Sequence, residues 1–179
     1  AEDWTKTNMN NAVYIWRSNI NQYATYINGI SANGGSSLIA PGQSFFVEAT
    51  GPAPQLVVTE DCKSKSAGTF RTMENLPAHL SLKITMGDWQ DETILITNEE
   101  SADGFEARKL RSPMNQAPYL ASIDESGKNL SINSIRMEGT GQIIPMRIEA
   151  GVSGTYTLQV NGLAQFAQGA CVTLEDVFT

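Results

Sequence analysis

The stretch HLSLKITMGDWQDETILITN, residues 79–98, decides the fold class. In its first half Leu80, Leu82 and Ile84 fall on one side of an extended chain, and Ser81, Lys83 and Thr85 fall on the other. A repeat of two marks a strand with one packed and one wetted face, because successive side chains of a pleated chain point in opposite directions. Residues 79–86 and 91–98 therefore read as two strands, joined by an acidic turn that carries Trp89. Working outward, GTYTLQV (154–160) repeats the pattern, with Tyr156, Leu158 and Val160 inward and Thr155, Thr157 and Gln159 outward.

Further candidate strands lie at 12–16, 22–27, 43–49, 55–60, 68–73, 105–111, 119–124, 129–135, 142–150 and 171–177, while helical periodicity is nearly absent. Between them SANGGSS (31–37), DESGKN (124–129) and VNG (160–162) supply Asn and Gly residues that reach positive φ at little steric cost, so these loops read as reversals. Two sheets that each hide one apolar face make a sandwich. The expected fold is all-β, an antiparallel β-sandwich of jelly-roll type. The polar run DCKSKSA (61–67) is expected to join an N-terminal β section, 1–72, to a sandwich domain, 76–179, with a single continuous domain as the alternative.

A chain of 179 residues buries roughly 70% of the surface it exposes when unfolded, enough for a stable core. Lys and Arg total 12 against 19 Asp and Glu, a net charge of -7, which repels phosphate backbones and anionic lipid. Nucleic acid is therefore a poor partner. No apolar run reaches the length of a membrane helix, and the start AEDWTKTN has neither the basic head nor the apolar stretch of a signal peptide. Cys62 and Cys171 share no CxxC spacing, which argues against a zinc knuckle or thioredoxin-type motif. They read either as one long-range disulfide or as two separate buried thiols.

The residues that carry chemistry are few. His79 is the only histidine, so a histidine-based triad or a multi-histidine metal site has no second imidazole to draw on. No G-x-S-x-G elbow activates any of the serines. Carboxylates cluster in GDWQDE (87–92) and NEESADG (98–104), and Asp88, Asp91, Glu99, Glu100 and Asp103 are hard oxygen ligands suited to Ca²⁺, although their spacing is not that of an EF-hand loop. Solvated acidic turns are the ordinary explanation. A glycosidase needs only two well-spaced carboxyls, but nothing selects a pair among these acids.

Aromatic rings concentrate early, and Trp89, Trp16, Tyr23 and Tyr26 are the candidate ligand-binding residues, since exposed rings stack on the apolar faces of sugars. Tyr14 and Trp16 are two apart and share a strand face, whereas Tyr23 and Tyr26 are three apart and point to opposite faces. At most one of that second pair belongs to the core. Packing in the interior of a sandwich is the ordinary role of most such rings, and Trp89 is the better exposed candidate.

The segment YIWRSNINQYATYINGISANGGSSLIAPGQSFFVEA (14–49) carries Y-x-W, then Y-x-x-Y-x-N-G, then G-Q-x-F-F-V. It resembles a β-sandwich region of large secreted and surface proteins of the Bacteroidetes, which commonly leave the cell by type IX secretion. LSLKITMGDWQDETILITNEESADGFEARKL (80–110), LSINSI (130–135), IIPMRI (143–148), GTYTLQV (154–160) and CVTLEDV (171–177) continue the likeness over nearly the whole chain. The resemblance implies an extracellular or outer-surface location and a fold rather than a reaction, and it transfers no catalytic residue. Three features of that pattern are missing: an Asn-Pro-Tyr-Pro-like stretch before Trp4, the strands after Thr179, and the terminal secretion-signal domain. The expectation is a fragment of a longer polypeptide, with an exposed sheet edge. In function it is expected to be a non-catalytic module for adhesion, display or spacing, with a glycan, a surface protein or other domains of the parent chain as partners. A carbohydrate-binding module attached to a polysaccharide-degrading enzyme is the alternative.

Overall fold

Period-two sequence in this chain becomes three sheets in a computed structural model that describes residues 3–63, 78–97, 104–136, 142–167 and 171–177. In chain order the strands are β1 (Thr5–Thr7), β2 (Val13–Arg17), β3 (Gln22–Ile27), β4 (Ile30–Ala32), β5 (Gln55–Val57), β6 (His79–Met86), β7 (Trp89–Thr97), β8 (Ala107–Arg108), β9 (Tyr119–Ile123), β10 (Asn129–Ile135), β11 (Met146–Glu149) and β12 (Thr157–Asn161). Strands β2, β3 and β4 form an antiparallel meander, and β1 pairs with β5 in a small ribbon. The remaining seven strands build one sheet in the order β11-β9-β10-β7-β6-β12, with β8 paired to β10.

The large sheet has a core on each face. Tyr14, Ile27, Ile30 and Ala32 of the meander pack with Ile94, Ile96, Ala107 and Ile132 of the large sheet, forming the interior of an all-β sandwich. On the opposite face Leu80, Leu82, Ile84, Leu95, Leu120 and Ile135 cluster with Phe166 of a short helix α1 (Leu163–Ala167), flanked by Met146, Tyr156 and Leu158. Strand β7 sends Ile94 and Ile96 to the first core and Leu95 to the second. Its run Ile94-Leu95-Ile96 is continuous and apolar because the strand is central and covered on both sides. Residues from Ala12 to Ala32 share one core with residues from Ile94 to Ile132, so the described parts of the expected N-terminal section and of the sandwich pack on each other.

Strands β2, β3, β6, β9 and β10 fall where the pattern of the sequence predicts them, within a residue or so at each end. The main departure is that β10 runs parallel to β7, from Ile132↔Ile94 to Ile135↔Thr97, so the large sheet is mixed rather than wholly antiparallel. That ladder begins only at Ile94. Below it, Thr93 Oγ1 donates to the carbonyls of Leu130 and Ser131 at 3.1 and 3.3 Å, meeting polar groups that the ladder leaves open. A buried polar seam results.

Other departures are local. Residues 43–49 make only the isolated bridges Tyr14↔Phe46 and Met9↔Ala49, and 171–177 form no strand and are exposed. Val160, expected inward, is 45% exposed, because β12 is an edge strand that pairs only with β6. The candidate strand at 68–73 lies outside the described residues. The reversal at 31–37 forms as expected, with Asn33 and Gly34 at φ of 53° and 70°. A Cβ on Gly35 would collide with the Thr25 carbonyl, so the meander closes tightly only with glycine there.

Candidate functional site

The seam beside β7 holds the most unusual group of side chains among the described residues. Asp91 precedes the point where the β7–β10 ladder begins, so its carboxylate turns into the gap beside β7 and is reached from both the meander and the large sheet; the residue is 0% exposed. Lys109, immediately after β8, reaches in from the other side of the seam, and its ammonium lies 2.5 Å from Asp91 Oδ1. The two side chains are 2% and 0% exposed. An isolated buried charge is very costly, and this pair is surrounded by hydrogen-bonding groups. Asp91 Oδ1 also accepts from Asn33 Nδ2 and from the Glu92 amide, both at 2.9 Å, and Oδ2 accepts from the Leu120 amide at 2.8 Å. Lys109 donates a second bond, at 2.8 Å, to the Glu92 carbonyl.

Asn33 is the meander's contribution, delivered by the turn that follows β4. Its Nδ2 bonds both Asp91 and the Tyr23 carbonyl, and its backbone amide donates to Glu92 Oε2 at 2.6 Å. Glu92 Oε1 in turn accepts from Ser81 Oγ at 2.6 Å. Asn33 Oδ1 is buried and has no hydrogen-bond partner. Asn33, Asp91 and Lys109 thus tie the small sheet to two separate parts of the large one.

A second cluster lies at the surface. Arg111 clamps Glu149 through two bonds of 2.8 and 2.9 Å, and its guanidinium carbon sits 4.1 Å from the centre of the Tyr119 ring. The Arg111 hydrogen bonds hold the Glu149 carboxyl below its ordinary pKa, and burial pushes the Tyr119 phenol up. These residues line a cavity of about 120 Å³ together with Ser112, Met114 and Gly151. Pockets for small organic ligands run roughly 300–1,000 Å³, so this one admits a few waters rather than a sugar ring.

The aromatic candidates divide among three places. Trp16 and Tyr23 face each other across β2 and β3 with ring centres 5.2 Å apart, and Phe46 extends the row at 5.7 Å from Tyr23. Phe46 is 53% exposed, so the row runs from the core to solvent. Tyr26 is on the other face of β3, opposite Val13, as its odd spacing from Tyr23 requires. Trp89 belongs to the large sheet, opposite Met86 at the head of the β6–β7 turn, and is half-buried.

The acidic candidates also separate. Asp88 is exposed in that turn, Asp91 is buried against Lys109, and Glu99, Glu100 and Asp103 lie outside the described residues. Among the described residues no group of three or more His, Cys, Asp or Glu side chains is placed to hold a metal ion. The disulfide and the buried-thiol reading both need correction, because Cys62 and Cys171 are free, Cys62 half-buried and Cys171 exposed. Cys62 sits in a short 3₁₀ turn (Glu60–Cys62), where its Sγ bonds the Asp3 carbonyl at 3.3 Å, and Cys171 lies in an exposed extended segment.

The partners of Asp91 escaped the sequence reading because Lys109 looks like one more charge in FEARKLR and Asn33 like a turn residue. One signal was available. An acid on the inward side of a central strand needs a cation, and few lysines or arginines flank β7 closely enough to supply it. No family model, curated protein or solved structure matches this chain.

Proposed function

We propose that this chain is a non-catalytic extracellular β-sandwich module that spaces, displays or adheres within a longer bacterial surface or secreted protein. The observation that carries the reading is the use made of its strongest ionic groups. Asp91 and Lys109 are buried against each other, with Asp91 also bonded to Asn33 of the meander, instead of facing a cleft where a substrate could reach them. Such cross-ties suit a spacer or display module, whose task is to stay folded. The likeness of residues 14–49 to surface proteins supports the same placement.

A second reading draws on the row Trp16, Tyr23 and Phe46, whose exposed end offers aromatic faces to a glycan. Titration against a broad panel of soluble and insoluble polysaccharides, followed by intrinsic tryptophan fluorescence, separates the two. The display reading expects no saturable binding. Saturable binding that is lost in Trp16→Ala and retained in Trp89→Ala would replace it with a carbohydrate-binding module.

A further inference from the structure

Asn33, Asp91 and Lys109 have the composition and arrangement of a self-reacting amide site. Lys109 supplies a primary amine, Asn33 a carboxamide whose nitrogen can leave as ammonia, and Asp91 one oxygen that touches both nitrogens, at 2.5 Å from Nζ and 2.9 Å from Nδ2. A carboxylate that contacts both the nucleophile and the leaving group can carry protons from one to the other. All three residues are buried, at 9%, 0% and 3% exposure for Lys109, Asp91 and Asn33, so bulk water is excluded and the reactants are held in one small volume. Backbone amides of Glu92 and Leu120 fix the carboxylate in place.

We propose that Lys109 and Asn33 become joined by an intramolecular amide bond, with Asp91 as the proton carrier. The ammonium passes one proton to Asp91 Oδ1, and the freed lone pair on Nζ attacks Asn33 Cγ. A carbon–nitrogen bond forms as the carbonyl pair moves onto Asn33 Oδ1. Asp91 hands its proton to Nδ2, the Cγ–Nδ2 bond breaks, and the nitrogen departs as ammonia while a further proton from Nζ returns to Asp91. The five nitrogen-bound protons of the reactants end with three on ammonia, one on the new amide and one on Asp91. The charges of the ion pair cancel, and no oxidant, metal or cofactor is consumed.

Two features of the resting structure fit this chemistry. The reaction turns a buried cation and anion into a neutral amide and a neutral acid, which removes the cost of keeping two charges out of water. The unpartnered Asn33 Oδ1 is an acceptor in the same carboxamide, available to the proton that Asp91 acquires. The linkage would bond the meander covalently to the large sheet, and it does not depend on the display reading.

The mass of the intact chain, taken under denaturing and reducing conditions after prolonged incubation in the folded state, tests the proposal. The expected result is a mass about 17 Da below that of the sequence, with digestion yielding a branched peptide that joins Asn33 to Lys109. An unchanged mass overturns the proposal. A loss of about 18 Da with Lys109 linked to Asp91 overturns the assignment to Asn33. A loss of about 17 Da in a linear peptide, the signature of ring closure of Asn33 onto Gly34, overturns it as well. In Lys109→Met and Asp91→Asn the branched peptide is expected to vanish, and its undiminished formation in Asp91→Asn would overturn the role of Asp91 as proton carrier. The wild-type mass and peptide map decide the link whatever these variants do to folding.

Discussion

Two cation–carboxylate pairs in this molecule use the same chemistry in opposite surroundings. Lys109 and Asp91 meet in the seam beside β7 with almost no exposure, whereas Arg111 and Glu149 meet at the surface with side chains 57% and 43% exposed. The surface pair has the more favourable fork geometry and the stacking partner Tyr119. It nevertheless contributes less, because water and salt screen it. The buried pair matters through the cost of breaking it. Burial, more than geometry, decides what an ion pair does to a fold.

The largest effect is expected from Lys109→Met, which strands the Asp91 carboxylate in the interior and destabilises by about 3–5 kcal/mol, before any covalent link is considered. Urea unfolding of Lys109→Met and of the double variant Lys109→Met/Asp91→Leu sharpens the point. Removing both charges is expected to recover part of the loss, and the absence of any recovery would assign the loss to the hydrogen bonds and packing around the pair rather than to a stranded charge. Ile132→Ala, at a residue with 0% exposure in the first core, is expected to cost about 2–5 kcal/mol by the same assay. A loss under about 1 kcal/mol there would show that the meander is not firmly seated on the large sheet.

Tyr14→Phe tests a buried polar group that carries no opposite charge. Burial, followed by the nearby Glu48 carboxylate, pushes the Tyr14 phenol well above its ordinary value of 10. Stability from the protonated phenol is therefore present below that value and declines as pH rises through the folded one. Phenylalanine is expected to change stability by less than about 1 kcal/mol at neutral pH and to flatten the alkaline decline. Unaltered alkaline sensitivity would assign it to another group.

The smallest effect is expected from Arg111→Met, about 0–1 kcal/mol and diminishing in salt. Arg111 lowers the Glu149 pKa from its ordinary 4.5, so the pair's contribution is present above that pH and is lost as pH falls through the lower, folded value. Wild type and Arg111→Met should converge in unfolding midpoint as the solution is acidified. A difference that persists in strong acid would point to the Tyr119 stack rather than the ion pair.

How much was legible beforehand follows from how local each signal is. Strand β6 is readable to the residue, because the alternation within HLSLKITM is a property of the pleated chain itself. The reversal at 31–37 was readable for the same reason, since Asn and Gly reach positive φ whatever the rest of the chain does. The opposition of Tyr23 and Tyr26 required only the count between them. The exposure of Val160 was not readable, because alternation says which side of a strand a residue is on and not whether anything covers that side.

By itself, then, the sequence determined an all-β chain, its principal strands and its tight turns, all of which depend on neighbours a few residues apart. Tertiary structure alone decided that β10 runs parallel to β7, that Asp91 faces Lys109 rather than solvent, and that Asn33 arrives beside both. The residue numbers of that group are far apart, and no periodicity links them. They meet because the ladder between β7 and β10 stops at Ile94, leaving a seam whose buried polar atoms must be satisfied by whatever side chains the two sheets can bring to it.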